Sequence, residues 1–389
     1  MRNSDRLTST LVKNNNIHYF DYAATTFMSK DVIDKWIEVN TLSGVSIDRG
    51  NSSLTNKAMK YFVESDKSIL DFFDLYENYS NIYTKNVTEA INLIALSLID
   101  KIKQLDIILV GPFEHHSNYL PWKYLAKKTG ALFYEIPLKK NGNVDYDYIE
   151  RYRSRIKVIS VSAVSNSFGY RLDIDRICNS ISDETILLID DSQIVAHEKI
   201  NNNKKISVHF LPSHKMYGPK NIAAAAVRKD LIETIDPIIL GGGMVDNVSF
   251  EDSWQKHNRK FMAGTFDISL LSAWAQACSF LNRLNYLDQS KINKYSDRIV
   301  SVLRDNGYIV LSDNNCSKYI ISFIHPRIHA HDISEYLNSR NIIIRSGNLC
   351  SQNAIRKIET NAINRISLGI DTNDDDVNSL CIELRRLSK

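Results

Sequence analysis

Short apolar segments alternate with helix-period segments through the middle of the chain. Between residues 80 and 230, apolar runs at 106–110, 132–136, 158–164, 186–189, 208–211 and 222–227 have the length of buried strands. Segments at 88–103, 119–128 and 173–181 and near Leu231 have helical spacing. One face of the first carries Ile91, Ile94, Ala95, Leu98 and Ile99. This alternation predicts a mostly parallel sheet covered by helices.

The pattern changes after about Phe280. Runs at 309–311, 319–323 and 342–345 predict strands of a second sheet, separated by helices. Acidic residues at 374–376 stand where a helix N-terminus favours them, so we interpret them as capping residues. The apolar stripe of this last helix carries Val377, Leu380, Cys381, Leu384 and Leu387. We expect an α/β protein with a large domain at residues 18–280. Residues 1–17 and 281–389 form a smaller α+β domain in this prediction.

Composition narrows the class of protein. The chain has 389 residues, of which 43% are hydrophobic and 24% charged, which is typical of globular proteins. The formal charge of 48 − 45 = +3 is small for this length, so we expect no nucleic-acid partner. No apolar run approaches the roughly 20 residues of a membrane-spanning helix, and the polar first 16 residues lack a signal-peptide pattern. Five cysteines without a C-x-x-C pair favour a reducing cytoplasm over a disulfide or zinc framework.

Asp190 and Lys215 are the first candidates for chemistry. Asp190 ends the strand at 186–189, and Lys215 follows 215 − 190 = 25 residues later, in the loop after the strand at 208–211. Functional groups of open α/β sheets concentrate at strand carboxyl ends. A pyridoxal phosphate enzyme needs a lysine for a Schiff base and a carboxylate that keeps the pyridine nitrogen protonated. On spacing alone, a surface lysine and a capping aspartate explain the pair better.

Two further strings extend this hypothesis. EHHSN at 114–118 follows a predicted strand, and a histidine there can stack on a planar cofactor and transfer protons. Adjacent histidines are poorly spaced for one metal ion, so we expect no metal site. NVTE at 86–89 begins an amphipathic helix, whose free amides can bind phosphate. By itself, that string is better explained as an ordinary N-cap.

Together, these residues resemble aminotransferase class V, a family of fold-type I pyridoxal phosphate enzymes. The resemblance is strongest to the group II cysteine desulfurase and selenocysteine lyase branch, and it extends from YFDYAA at 19–24 to the last helix. Eight strings occur in family order: EHHSN with PW at 121–122, VSNSFG at 164–169, DDSQ at 190–193, HKMYGP at 214–219, GGGM at 241–244, AGT at 263–265, RSGNLCSQ at 345–352 and RISL at 365–368. Each string is weak alone, but the ordered set is specific for fold and cofactor.

The resemblance implies a role for each matched residue around the cofactor ring. Lys215 is then the Schiff-base lysine and the base that moves the substrate Cα proton. Asp190 pairs with the pyridine nitrogen, and Gln193 with the ring oxygen. His115 stacks on the ring and shuttles a proton. Asn166 holds the ring oxygen or the substrate carboxylate.

The remaining implied roles concern the phosphate, the substrate and assembly. Thr88, His214 and the helix amide of Val87 would hold the phosphate, with a hydroxyl supplied by Ser213. Thr265 would reach the phosphate of a neighbouring subunit, so a homodimer is implied. Arg365 would bind the amino acid carboxylate through its planar guanidinium.

Cys350 determines which reaction the resemblance implies. In the desulfurase branch, a cysteine on this loop attacks the substrate sulfur as a thiolate and becomes a persulfide, while alanine leaves. Cys278 and Cys381 lie in apolar helical patterns that suit core positions, whereas Cys350 lies in a polar loop. The implied activity is therefore conversion of L-cysteine to L-alanine, with a sulfur-acceptor protein as partner.

Several positions depart from the family pattern and keep alternatives open. Pro212 and Ser213 replace a usual Ser-Gly or Ser-Ala, and Val87 replaces a usual threonine. Asp48 stands where this branch has a histidine facing the substrate. Asp371-Thr372 replaces a usual Tyr-Asn pair, and Met262 a glutamate. Asp48 and Asp371 favour a carbon–sulfur lyase, epimerase or aminotransferase acting on a modified cysteine or another amino acid. A scaffold without turnover is a third hypothesis, disfavoured by the retained Lys215.

Overall fold

A computed structural model of the chain describes residues 16–42, 47, 50, 52–249, 252–312 and 315–388. The strands are β1 (His18–Tyr19), β2 (Tyr79–Thr84), β3 (Ile107–Val110), β4 (Leu132–Glu135), β5 (Ile156–Ser162), β6 (Ile186–Asp190), β7 (Ile206–Pro212), β8 (Ala223–Arg228), β9 (Val245–Asn247), β10 (Ser253–Trp254), β11 (Ile309–Val310), β12 (Ile320–Ile324), β13 (Ile342–Ile343), β14 (Arg345–Gly347) and β15 (Ile363–Ser367).

Helices cover the sheets and connect the strands. They are α1 (Lys30–Leu42), α2 (Ser53–Phe72), α3 (Val87–Ser97), α4 (Leu120–Thr129), α5 (Tyr146–Tyr152), α6 (Ile174–Ser180), α7 (Lys229–Ile232), α8 (Ile268–Arg283), α9 (Ser290–Asp305), α10 (Ala330–Asn338), α11 (Gln352–Arg356) and α12 (Asp374–Leu387). Within the described ranges, no helix is both long and apolar enough to cross a membrane.

A seven-stranded sheet forms the centre of the large α/β part, in the order β2-β8-β7-β6-β5-β3-β4. Strand β8 runs antiparallel to both of its neighbours, and the other strand pairs are parallel. The prediction of a mostly parallel sheet is therefore confirmed. Strands β3, β6 and β7 are buried along their whole length, because helices cover both faces of the sheet.

A second sheet has the antiparallel order β11-β12-β15-β14. The single strand that we predicted at 342–345 is wrong, since that segment contributes to two sheets. Strand β13 pairs with β1 in parallel, whereas β14 pairs with β15. Residues 1–15 lie outside the described residues, and the predicted domain division stays a prediction.

The last helix begins as its sequence predicts. Asn373 and Asp376 form a capping box, in which each side chain accepts from the backbone N–H of the other residue. Val377, Leu380, Cys381 and Leu384 of the predicted stripe are buried, so the helix packs through that face. The acidic residues at 374–376 therefore belong to the helix start.

Three neighbouring parallel strands place the site. Strands β5, β6 and β7 end at Ser162, Asp190 and Pro212, and Ser162 is directly opposite Asp190 in the register. Parallel strands bring their carboxyl ends to one edge, where the loops that follow them converge. This edge borders a cavity of the described chain.

Candidate active site

A cavity of about 390 Å³ lies at the carboxyl ends of the central strands. Its walls come from the segment after β1, the start of α3, the ends of β5 and β6, the loops after β3, β5, β6 and β7, strands β14 and β15, and the segment after β14. The lining residues are Ala23, Ala24, Asn86, Val87, Thr88, His115, Ser117, Ser162, Val164, Asn166, Asp190, Ser192, Gln193, Pro212, His214, Lys215, Arg345, Leu349, Cys350 and Arg365. Segments separated by more than 300 residues in sequence therefore meet at one site.

Lys215 and Asp190 both line this cavity, as the sequence predicted. Asp190 is buried at the end of β6, and its Oδ1 accepts the backbone N–H of Ser192 at 3.0 Å. Lys215 ends a short 3-10 segment, Ser213–Lys215, that follows β7. Burial lowers the pKa of Lys215 to about 8, while the carboxylate of Asp190 acts in the opposite direction. The amine is therefore much more available as a neutral nucleophile than an exposed lysine would be.

His115 lines the cavity in a neutral state. Its Nδ1 accepts the backbone N–H of Ser117 at 3.1 Å and lies 2.6 Å from the Ser117 hydroxyl. A ring nitrogen that accepts an N–H carries no proton, so the proton resides on Nε2. Burial, and then the charge of Lys215, lower the pKa of His115 to about 3. The ring is therefore a neutral, flat donor next to the lysine.

A buried network fixes the loop that carries His115. The Glu114 carboxylate accepts from the Ser162 backbone N–H at 2.8 Å, the Ser162 hydroxyl at 2.6 Å and the Asn118 amide at 2.7 Å. Asn118 in turn accepts from Trp122 Nε1 at 3.0 Å and from the Ser160 hydroxyl at 2.6 Å. Burial raises the pKa of Glu114 to about 7, although the three hydrogen-bond donors act in the opposite direction by stabilising the carboxylate.

Glycine is required at position 111 for the same network. A Cβ there would collide with the Glu114 carboxylate, so the close approach of the loop depends on this residue. Glu114 and Asn118 are absent from our sequence-based site list, although both stand in the EHHSN string. Hydrogen bonding among side chains 4 to 48 residues apart gave no pattern to detect.

The start of α3 forms part of the cavity wall. Asn86 caps the helix by accepting the Glu89 N–H at 2.9 Å, and Val87 and Thr88 follow at its first turn. All three line the cavity together with His214. Burial, followed by the nearby charge of Lys215, lowers the pKa of His214 to about 4, so this ring is also neutral. Free helix amides and a positive helix end are suited to a phosphate.

Two residues predicted to bind phosphate do not line the cavity in this chain. Ser213 is fully buried, and its hydroxyl lies against Gly218 and has no hydrogen-bond partner among the residues that the structure describes. Thr265 is exposed. The role of Ser213 thus has no support from its position, and the role of Thr265 depends on a second subunit. Both stay predictions.

Arg365 on β15 is buried, 4% exposed, and its contacts fix its orientation. It donates to Asp21 Oδ1 at 2.7 Å and to the backbone oxygen of Asn166 at 2.9 Å. Its Nε is buried without a hydrogen-bond partner among the described residues. A buried guanidinium with N–H donors still unused at a cavity wall can bind a carboxylate. Asp21 also lies 3.6 Å from Arg345, so it orients both arginines.

Cys350 is the exposed cysteine, and it lines the cavity. Cys178, Cys278 and Cys381 are buried, and burial raises the pKa of each of these thiols. Their packing agrees with the core positions predicted for Cys278 and Cys381. Gln193 and Asn166 also line the cavity, where Gln193 donates to the backbone oxygen of Ala23 at 3.2 Å.

The departures from the family pattern lie in different places. Pro212 lines the cavity, whereas Asp48 lies outside the described residues. Asp371 does not line it; burial and then the charge of Asp371 raise the pKa of the Tyr22 phenol. Its position gives no support to the alternative activities that we inferred from it. Met262 is half-buried against the hydrophobic core.

A mostly parallel sheet with a half-buried lysine and a buried carboxylate at its carboxyl edge is the arrangement of fold-type I enzymes. The family model Aminotransferase class-V matches residues 18–380, and the chain belongs to this family. Its enzymes depend on pyridoxal 5'-phosphate. The resemblance and the fold class stated from sequence are both confirmed.

Several proteins that are similar to nearly the whole chain are described as cysteine desulfurases. A "Probable cysteine desulfurase" of Pyrococcus abyssi is 29% identical over 383 residues, covering 95% of this chain and 94% of that protein. A "Cysteine desulfurase" of Haloferax volcanii is 27% identical over 378 residues, with coverages of 93% and 87%. The apo structure of the cysteine desulfurase from Thermococcus onnurineus NA1 has a TM-score of 0.90 at 26% identity and covers 98% of each chain.

Proposed function

We propose that the chain is a pyridoxal 5'-phosphate-dependent cysteine desulfurase, which converts L-cysteine to L-alanine and retains the sulfur on Cys350 as a persulfide. The observation that carries this proposal is that the exposed thiol of Cys350 lines the same cavity as Lys215 and Arg365. An amino acid held by Arg365 and reacting at Lys215 therefore lies within the same space as a nucleophilic sulfur. The full-length relatives described as cysteine desulfurases support the same activity.

The residues of the cavity fit the cofactor. Lys215, with its pKa lowered to about 8, would form the covalent bond, and Asp190 would face the ring nitrogen. Val87 and Thr88 at the start of α3 would hold the phosphate. The cofactor, when bound, supplies an aldehyde that captures the amino group and an electron-poor ring that stabilises a neighbouring carbanion.

The protein side chains supply binding, proton transfer and nucleophilic attack. Arg365 would hold the substrate carboxylate through guanidinium N–H groups that its contacts to Asp21 and Asn166 leave unused. The Lys215 amine would remove the Cα proton and later return a proton, because its lowered pKa suits both directions. The neutral His115 would present its Nε2–H to the reacting groups.

Sulfur transfer is a displacement at the substrate sulfur. The Cys350 thiolate forms an S–S bond as the substrate Cβ–S bond breaks, and the electron pair of that bond remains with Cβ. Protonation of the carbon then gives alanine, and the persulfide stays on the protein. A sulfur-acceptor protein would remove this sulfur, and the exposure of Cys350 is what such a partner requires.

We further propose that the working form is a homodimer in which Thr265 completes the phosphate site of its neighbour. Thr265 is exposed, and so are large apolar side chains of the preceding region, with Ile239 at 50%, Leu240 at 62% and Val248 at 73%. Burial of such side chains is a common driving force for association. The five cysteines, none of which forms a disulfide in the part of the chain that the structure describes, support a reducing, cytoplasmic location.

An assay of four products from L-cysteine tests the proposed activity. Wild type and Cys350→Ala are incubated with cysteine, and alanine, sulfide, pyruvate and ammonia are measured. The proposed activity gives alanine in wild type and little in the variant. Pyruvate with ammonia in both proteins would instead identify a carbon–sulfur lyase. Cys316→Ala is the matched control, since this cysteine is half-buried and does not line the cavity.

A further inference from the structure

The segment that carries Cys350 has an unusual backbone conformation. Leu349 and Cys350 have φ values of +51° and +55°, so two successive residues with side chains occupy the left-handed region. Such conformations persist only where surrounding contacts over-determine them. The contacts around residues 348–352, the cysteine segment, therefore show what holds the thiol in place.

Two sets of contacts hold the first half of the cysteine segment. Within it, Asn348 accepts the Cys350 N–H through its side chain at 3.1 Å and the Ser351 N–H through its backbone at 2.8 Å. From outside, Asn166 donates to the Leu349 backbone oxygen at 2.8 Å and accepts the Ser351 hydroxyl at 2.8 Å. Neither set reaches beyond Ser351.

His116 holds the second half of the cysteine segment. Its backbone N–H donates to the Cys350 oxygen at 2.7 Å, and its ring Nε2 accepts the Gln352 N–H at 3.2 Å. An accepting Nε2 requires a neutral ring with its proton on Nδ1. Burial lowers the pKa of His116, which favours that neutral state. His116 therefore contacts the cysteine segment at the backbone oxygen of Cys350 and again at Gln352, directly after the residue that carries the reactive sulfur.

We propose that His116 is a positioning residue for sulfur transfer, whose ring acceptor fastens the cysteine segment to the loop that carries His115. Adjacent residues of one loop then serve two purposes: His115 lines the cavity, and His116 sets where the nucleophile stands. This deepens the proposed function, on which its kinetic consequence rests. The fastening itself is a property of the fold and is measurable without turnover.

The test compares His116→Phe, which removes only the ring acceptor, with His116→Gln, whose side-chain oxygen can take the place of Nε2. His331→Phe is the matched control, because His331 contacts Ser346 at 3.0 Å on the other flank and makes no contact with the cysteine segment through its ring nitrogen. Hydrogen exchange of peptides covering residues 348–357 is followed by mass spectrometry in the cofactor-loaded proteins. His116→Ala replaces the Phe variant if that protein fails to fold.

We expect His116→Phe to speed exchange in these peptides about fivefold, the effect of losing one ordinary hydrogen bond. We also expect its kcat for alanine formation to fall by at least about fivefold with KM within about twofold, since substrate binding uses Arg365. His116→Gln should restore both quantities, and His331→Phe should change neither. An unchanged exchange rate in His116→Phe would overturn the positioning role. A folded His116→Gln protein with the same fast exchange and low kcat as His116→Phe would overturn it as well. If the wild type forms no alanine, the proposed function is refuted instead. The comparison of exchange rates then still tests whether the His116 ring holds the cysteine segment in place.

Discussion

Replacement of Asp190 by asparagine is expected to shift the pH at which Lys215 captures the cofactor. The nucleophile is the neutral amine, so capture rises as pH passes upward through the pKa of Lys215 and then levels. Burial lowers that pKa from 10.5 to about 8, and the Asp190 carboxylate is the main group opposing the decrease. Removal of this negative charge lowers the pKa further and moves the midpoint of capture below about 8.

The size of the effect follows from the two pKa values. A decrease from 10.5 to about 8 corresponds to roughly 3 kcal/mol against the charged amine. At pH 7, about one wild-type molecule in 10 then has a neutral Lys215, compared with about one in 3,000 for an ordinary lysine. For each further unit by which the pKa of Lys215 falls in the asparagine variant, the midpoint of the capture profile moves down by one pH unit.

Rapid mixing of cofactor-free protein with pyridoxal 5'-phosphate, followed by visible absorbance between pH 6 and 9.5, measures this profile. Exposed Lys220 provides the control, because Lys220→Ala should leave the midpoint in place. Ionisations of the cofactor itself are common to all variants, so differences between profiles report on the protein. A wild-type midpoint near 10, or an upward shift in Asp190→Asn, would refute the reasoning.

Three further changes test other parts of the site. Arg365→Lys should raise KM for the amino acid about 10- to 100-fold in steady-state assays, because an ammonium cannot keep the contacts to Asp21 and Asn166 while binding a carboxylate; an unchanged KM would count against this role. Asn118→Asp should lower stability by about 2–4 kcal/mol in thermal unfolding, since it replaces the amide donor 2.7 Å from Glu114 by a second carboxylate; equal melting temperatures would contradict the network. Thr265→Ala should weaken cofactor retention by about 1–3 kcal/mol in equilibrium dialysis without changing the melting temperature of the cofactor-free protein.

The regular elements of the large part were predictable because their signal is local. Strands β3, β4, β6 and β8 lie within a residue or so of their predicted bounds, since each is a short apolar run. Strand β2 was missed, because YSNIYT is polar in composition and pairs through its backbone with the alanine-rich β8. The helix predicted at 88–103 ends at Ser97 and continues as a 3-10 segment, Ile99–Lys101.

Long-range pairing is what the sequence pattern could not supply. The segment predicted as one strand at 342–345 forms parts of two strands. Its first half pairs with β1, more than 300 residues earlier, and its second half pairs with β15. The same limit applies to the site. Half of the lining residues were predicted as site residues. Arg345 and Asn86 stand in quoted strings but had no predicted role, and Ser162 stands in none of the strings. Ser213 and His214 are adjacent in sequence and were both predicted to bind phosphate. Only their positions in the structure distinguish them, because Ser213 is buried and His214 lines the cavity.

Mass spectrometry of the wild-type protein after a single turnover with L-cysteine tests the central claim most directly. Intact mass and peptide mapping locate any added sulfur atom, and alanine is quantified in the same sample. We expect one alanine for each added sulfur, with the sulfur on Cys350 and absent from Cys350→Ala. Alanine formed without sulfur on Cys350, or formed equally by the variant, would contradict transfer of the substrate sulfur to this residue.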